Sequence, residues 1–490
     1  MIVVCVSLPP SDRRIGPREL AQLLGHWRES GIAAYAALAT RVRLLVLDGR
    51  LPVGVRLPPE RELATALGSS RTTVAAAYDV LRASGHAASR RGSGTWTTLP
   101  AGGADVPAWA PEPAPSGVLD LAHAAPSAPP QLHAAYAAAL DELPRHLPGT
   151  GYDFRGLPEL RARIAERFTA RGLLTTPEEV LVTNGALQGI RLALALVAGP
   201  GDRVLVEQPG YPNGLDAVRD LGARAVPVPV HPREGWDLAG LAAALRQTAP
   251  RAAYLVPDFQ NPTGALMDEP GRRQTARLLD RARTVAIVDE TLVELRLDDG
   301  PTVAPFAAHA GATPVLTVGS ASKLAWGGLR IGWLRADRAT IARLAALRSR
   351  QDLSGPVLEQ LACAHLLADL DAVRVHRVDQ LRTSRDHLAA LVARHLPSWQ
   401  IQLPAGGQVL WCALPAPRST ALVTAAADLG VRVTAGSRFA IDGTLEGWLR
   451  LPFTPAPAVI ERAVPLLATA WQRASGQAPV GSPIDTAWVV

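Results

Sequence analysis

Two kinds of hydrophobic spacing divide the chain. In residues 34–48 apolar side chains fall at Leu38, Val42, Leu45 and Val46, the interval of one helix face. Gly49 and Pro52 end that helix. Pro58-Pro59-Glu60 opens a shorter one running to Leu67, with proline in the first turn, where no backbone donor is needed. Gly68 turns the chain, Ser69 or Ser70 caps the next helix, and Val74, Tyr78 and Leu81 form its apolar face. After Gly85 the pattern shortens to two strand-like pieces around Arg90-Arg91-Gly92-Ser93-Gly94, a hairpin with a basic tip. Three helices and a basic hairpin predict an α+β winged helix-turn-helix over residues 30–99.

Residues 100–117 are rich in proline, alanine and glycine and form no hydrophobic face, so they read as a semi-rigid linker. From Leu119 onward short apolar runs alternate with helix-length stretches. Strands are predicted at 203–207, 225–230, 253–257, 285–289 and 315–320, with helices at 188–197 and 272–283 between them. That alternation predicts a mostly parallel sheet wrapped by helices, an α/β/α layering over residues 118–475. Ligands of such sheets sit beyond the carboxyl ends of the strands. The stretch from about Gly476 reads as a loose tail.

Composition narrows the function less than the location of the charge does. The apolar share of 48% with 19% charged residues is ordinary for a soluble globular chain. The net charge is +6, and residues 1–100 hold thirteen arginines against seven acids, so 13 − 7 places the whole excess there. An anionic partner is therefore expected for the first part of the chain. Three scattered cysteines, Cys5, Cys363 and Cys412, imply neither a metal site nor a disulfide framework. No apolar span is long enough to cross a membrane and the start lacks a basic leader, so a cytoplasmic protein is expected.

Asp48-Gly49-Arg50-Leu51-Pro52, Arg61-Glu62-Leu63-Ala64, Leu67-Gly68-Ser69-Ser70-Arg71-Thr72-Thr73-Val74 and Arg91-Gly92-Ser93-Gly94-Thr95 follow one another in an order that resembles the GntR-type DNA-binding domain. Pro59 departs from that pattern, which usually has serine or alanine. The resemblance implies operator double-stranded DNA as partner. Ser70, Arg71, Thr72 and Thr73 start the recognition helix that enters the major groove, where arginine makes a bidentate contact to guanine. Arg56 and Arg61 are expected on phosphates, and Arg90, Arg91 and Gly92 on the wing along the backbone or minor groove.

Lys323 is the only lysine, beside forty-nine arginines. A guanidinium stays protonated, whereas an amine can condense with a carbonyl to form a Schiff base. Val318-Gly319-Ser320-Ala321-Ser322-Lys323, with Arg330 seven residues on, resembles the cofactor lysine of fold-type I, class I/II aminotransferases. That resemblance implies pyridoxal 5'-phosphate and a smaller C-terminal α+β subdomain, divided at about 118–340 and 341–475. Gly185 and Ala186, opening a helix, offer free backbone N–H groups to the phosphate. Ser320 and Arg330 would join them. Tyr211 would stack on the ring, Asn261 of Asn261-Pro262-Thr263-Gly264 would bond its phenolic oxygen, and Asp289 would keep its nitrogen protonated. Tyr152 resembles the tyrosine that reaches the phosphate of the neighbouring subunit, and Arg450 the arginine that grips a substrate carboxylate.

A GntR-like reader followed by an aminotransferase-like unit resembles the MocR-type transcriptional regulators. Members often carry tyrosine two residues after the aspartate, ordinary aminotransferases three after; here those positions are Thr291 and Leu292. The reading is a homodimeric regulator that senses pyridoxal phosphate, or an amino compound forming an external aldimine with it. A working aminotransferase with a DNA-binding appendage is the alternative, and Arg450 supports it. A reader with an inert second domain is disfavoured by Lys323.

Overall fold

The computed structural model describes residues 14–25, 27–28, 33–47, 50–90, 94–98, 117–300 and 303–476. It divides into two compact units, Met1–Pro113 and Ala114–Val490.

In the first unit, α1 (Pro17–Leu24), α2 (Ala34–Leu47), α3 (Glu60–Leu67) and α4 (Arg71–Ala83) precede an antiparallel pair, β1 (Ala87–Arg90) and β2 (Gly94–Thr97). Leu38, Val42 and Leu45 of α2 pack with Leu63 of α3 and with Val74, Tyr78 and Leu81 of α4. Tyr78 also donates its hydroxyl to Pro58 O at 2.9 Å, which pins α4 to the entry of α3. Gly68 takes a left-handed φ of +58° to end α3, and Ser70 is the cap of α4, its Oγ accepting from Thr73 N at 3.0 Å. Pro59 sits at the cap of α3 rather than inside its first turn and offers no side-chain acceptor. The helix α1 precedes the boundary expected at residue 30. Its Leu20 and Leu24, with Trp27, are buried in the same core.

The second unit is built on two sheets. The larger has the order β4 (Val180–Thr183), β11 (Gly332–Arg335), β10 (Val315–Ser320), β9 (Val285–Asp289), β8 (Ala252–Leu255), β5 (Arg203–Gln208), β6 (Arg224–His231), β7 (Gly235–Trp236). Only β11 and β7 run against the rest. Helices α5 (Gln131–Glu142), α6 (Pro158–Ala170), α7 (Ala186–Val197), α8 (Pro212–Asp220), α9 (Leu238–Thr248), α10 (Glu269–Ala282), α11 (Arg338–Arg348), α12 (Val357–Ala368), α13 (Leu370–His395), α14 (Ser419–Ala427) and α15 (Pro457–Ser475) complete the unit.

Alternation along the strands makes two cores, since successive side chains leave opposite faces. Val204, Val206, Tyr254 and Ile287 face α7, α8 and α11, whereas Leu205, Ala253, Leu255 and Val288 face α9 and α10. The smaller sheet has the order β12 (Gln400–Ile401), β13 (Val409–Ala413), β15 (Trp448–Pro452), β14 (Val431–Ala435), β3 (Leu119–Leu121). The division at about 118–340 and 341–475 therefore does not follow the sheets. β3 pairs in parallel with β14, over three hundred residues later.

Candidate functional site

The parallel strands deliver their carboxyl ends to one place. Asp289 ends β9, Ser320 ends β10, Asn184 and Gly185 follow β4, and Tyr211 follows β5 at the start of α8. Asn261 follows β8 in the turn before α10, and Arg450 comes from β15 of the smaller sheet.

Lys323 donates to Ala124 O at 2.8 Å. Burial, then the nearby Arg450 guanidinium, push its ammonium down to about 8, with Asp289 opposing them. A lysine so placed has a sizeable neutral fraction near pH 7 and is a competent nucleophile. Asp289 is buried, which raises its pKa. Its carboxylate accepts from Thr291 N at 3.0 Å and from the Tyr254 hydroxyl at 2.8 Å, bonds that favour the anion. Two strands away, on β5, Glu207 accepts from Trp236 Nε1 at 2.7 Å, Val256 N at 2.9 Å and Gln260 Nε2 at 3.0 Å, while burial lifts it to about 7. Gln260 in turn accepts from Thr263 N, so this cluster shapes the turn that carries Asn261.

Arg450 donates to Ala122 O and, at 3.4 Å, to Asn261 Oδ1. Its guanidinium lies 4.9 Å from the Phe439 ring centre, and burial lowers it to about 10. Its Nε is buried with no partner among the described residues. A buried cation with an unused donor suits an anionic ligand.

Around Gly185 the backbone is shaped for close approach. Its φ is +83°, and a Cβ there would lie 2.4 Å from Arg330 Nη2. Arg330 itself has φ +54° and donates to Asn184 O at 3.1 Å and Gly327 O at 3.4 Å. Ser320 Oγ accepts from Ser322 N at 3.0 Å. Gly185, Ala186 at the first position of α7, Ser320 and Arg330 thus present amides, a hydroxyl and a guanidinium at strand ends and a helix start, the makings of an anion cradle.

Tyr211 is half-buried, its hydroxyl accepting from Asn213 Nδ2 at 3.0 Å, within electrostatic reach of Asp289, Arg450 and Arg330. Thr291 bonds Asp289 and so lies at the site; Leu292 is buried in the core and does not. Tyr152 has 62% of its surface exposed, and its amide donates to Thr150 Oγ1 at 3.4 Å. Four participants have no counterpart in the sequence analysis: Tyr254, Glu207, and the main-chain carbonyls of Ala122 and Ala124. A tyrosine inside an otherwise aliphatic strand was the one available signal, for Tyr254.

In the first unit, Arg71 is 74% exposed and lies 3.4 Å from Glu60 Oε2. The hydroxyls of Ser70, Thr72 and Thr73 form a bonded cluster at the start of α4, at 2.7 and 2.8 Å from Ser70 Oγ. Arg56 rests against the wing, with its guanidinium 5.9 Å from the Trp96 ring centre and beside Gly94, whose φ is +105°. Arg61 is exposed on α3. Arg90 closes β1, paired with Gly94, while Arg91 and Gly92 lie outside the described residues.

Residues 34–96 match the family model described as bacterial regulatory proteins, gntR family, and residues 123–466 match aminotransferase class I and II. The chain is 29% identical to the probable rhizopine catabolism regulatory protein MocR of Rhizobium meliloti, over 76% of this chain and 80% of that one. It is 31% identical to the HTH-type pyridoxine biosynthesis transcriptional regulator PdxR of Corynebacterium glutamicum, over 82% and 88%. Among solved structures, the α-aminoadipate aminotransferase LysN of Thermus thermophilus, complexed with N-(5'-phosphopyridoxyl)-L-leucine, superimposes with a TM-score of 0.67 at 29% identity. That match covers 74% of this chain and 94% of the other. The Gly185 cradle, the buried carboxylate of Asp289 and the amine of Lys323 fit pyridoxal 5'-phosphate, the cofactor of this fold. The chain belongs to the MocR-type transcriptional regulators, in which a gntR-family DNA-binding unit is fused to a pyridoxal-phosphate-dependent unit of the class I and II aminotransferase fold.

Proposed function

We propose that this protein regulates transcription from an operator whose affinity for it changes when an amino compound enters the pyridoxal-phosphate site. One observation carries the reading: the two functional cations of the site, Lys323 and Arg450, are both held by carbonyls of one short segment, at Ala124 and Ala122. That segment follows β3, the first strand of the second unit in sequence. An effector carboxylate on Arg450 replaces the Ala122 carbonyl, and an effector amine competes with Lys323 for the cofactor's aldehyde carbon. Displacement at Arg450 frees the Ala122 end of the segment, whereas the Lys323 amine holds Ala124 O only while it is uncondensed.

When bound, the cofactor supplies that aldehyde and an electron-withdrawing ring. Gly185, Ala186, Ser320 and Arg330 hold its phosphate, Tyr211 covers its ring, and Asp289 holds its nitrogen. Asn261 and the short hydroxyl of Thr291 face its phenolic oxygen. Exposed Tyr152 suits a homodimer, in which it reaches the neighbouring subunit's phosphate. On DNA, Arg71, Thr72 and Thr73 read the major groove from the Ser70-capped helix start, Arg56 and Arg61 hold phosphates, and Arg90, Arg91 and Gly92 follow the DNA backbone or minor groove. The setting is the cytoplasm, where operator and cofactor both occur.

Steady-state transamination against a panel of amino acids, run beside operator titrations with the same ligands, tests this. An effector coupled at ~1–3 kcal/mol shifts operator affinity about 5- to 150-fold. Turnover of ~1 s⁻¹ or faster, with no ligand altering DNA affinity, would make the protein an enzyme first.

A further inference from the structure

The first hundred residues hold all the net positive charge, so the second unit is close to neutral in sum. Its charge is nevertheless segregated. Arg273, Arg277 and Arg281 lie four residues apart on α10, all exposed, and line a shallow groove of about 380 Å³ with Pro270, Gln274 and Leu278. Four residues of helix rise about 6 Å, so the three guanidinium groups form one stripe along the helix.

The acids of the same helix are committed elsewhere. Asp268 accepts from Gly271 N at 2.8 Å, Glu269 lies 3.2 Å from His309 Nε2, and Asp280 accepts from Thr313 N at 2.8 Å. Arg272, immediately before the stripe in sequence, is buried against Asp258 and takes no part.

The stripe continues onto the sheet. Arg203 and Arg224 are partners in register at the amino ends of β5 and β6, and Arg251 bonds Arg203 O through its amide at 2.8 Å. All three are exposed. Arg203 shares its face with Leu205, Arg251 with Ala253 and Leu255, and Arg224 with Val228, which are core partners of α9 and α10. Arg203 accordingly donates to Thr248 O of α9 at 3.1 Å. The helix α10 ends at Ala282, just before β9 begins, so its last turn also lies at this amino edge. None of the six arginines forms an ion pair with a described residue. A helix-terminal arginine complements the helix dipole, which accounts for Arg281 but not for a row across three strands.

We propose that this face of the second unit holds the phosphate backbone of duplex DNA flanking the operator that the first unit reads. The inference rests on the chain being a DNA-binding regulator, because operator binding brings flanking duplex to high local concentration. Spaced, unpaired guanidinium groups suit phosphates, which arginine engages in bidentate fashion. Arg203, Arg224, Arg251 and Arg281 lie at the amino edge of the sheet, opposite the strand ends that form the cofactor site, and Arg273 and Arg277 extend the row along the outer face of α10.

The test uses the full chain with its cofactor and two duplexes, one limited to the operator and one extended by about two helical turns on each side. Affinities are measured across a salt series. Three added phosphate contacts should steepen the log–log salt slope on the long duplex by about 2.7 relative to the short one, at about 0.9 per phosphate. R273Q/R277Q/R281Q, and separately R203Q/R251Q, should remove part of that difference while leaving short-duplex affinity and cofactor absorbance unchanged. Equal wild-type slopes on both lengths overturn the proposal, as does an equal loss by the variants on both, which would place the effect in the reader. Failure of the wild type to bind even the short duplex would instead overturn the reading as a regulator.

Discussion

The reactivity of Lys323 follows from its surroundings and can be read as a pH profile. Its ammonium is lowered from 10.5 to about 8, first by burial and then by Arg450, against an opposing pull from Asp289. Only the neutral amine attacks the cofactor aldehyde. A fall of about 2.5 units raises the neutral fraction near pH 7 by about 300-fold over a free lysine side chain. The rate of covalent cofactor capture by apo-protein, followed by absorbance and by borohydride trapping, should rise with pH, be half-maximal near pH 8 and level off above it. Arg450→Gln removes a neighbouring cation, so the midpoint should move up; each unit of rise cuts the rate below it about tenfold. Asp289→Asn removes a neighbouring anion, so the midpoint should move down. The opposite signs are the diagnostic part. A wild-type midpoint near 10, or two variants that shift in the same direction, would refute the electrostatic account of this amine.

Lys323→Ala should take up no covalent cofactor at any internal position, since the chain has no other lysine; mass spectrometry after borohydride treatment checks this, and an adduct elsewhere than the chain's first amine would remove Lys323 from its role. Gly185→Ala places a Cβ 2.4 Å from Arg330 Nη2, in a positive-φ, extended backbone that is essentially restricted to glycine and costs other residues ~1–3 kcal/mol. Pyridoxal-phosphate affinity should fall about tenfold or more in an absorbance titration, with a smaller effect on pyridoxal, which lacks the phosphate. Arg71→Ala should cost ~1–3 kcal/mol on the operator and relax specificity at one base pair, measured against single-base operator variants; an equal loss on every sequence would move Arg71 to the backbone.

Local signals made much of this fold legible. The strands at 285–289 and 315–320 appear where alternation and flanking turns placed them, and the helix of residues 34–48 ends within one residue of the expectation. The strand-end residues were legible because short motifs at the ends of parallel strands converge whatever the intervening length. What stayed hidden depends on distant pairing. Nothing local announces that Leu119–Leu121 joins β14 rather than the nearer strands. Tyr254 meets Asp289 only because β8 and β9 are neighbours in a particular register. The carbonyls of Ala122 and Ala124 carry no side-chain signal, as every residue has one. The helix α1 was missed because eight residues with two buried leucines make a weak period.

The segment Ala122–Ala124 can be regarded as an internal ligand of its own site. A carboxylate taking the place of the Ala122 carbonyl on Arg450 would bind against it, so its observed affinity would be the intrinsic one diminished by the fraction of molecules in which the segment has already let go. That fraction depends on residues the effector never touches. Asp120 and His123 are joined at 2.7 Å, and Thr454 bonds His123 O at 3.4 Å, both bracing the segment from outside the cofactor site. Loosening such a brace lowers the concentration at which the protein responds without altering which molecule it recognises. Threshold and selectivity are thereby carried by different residues, and a change in one leaves the other in place.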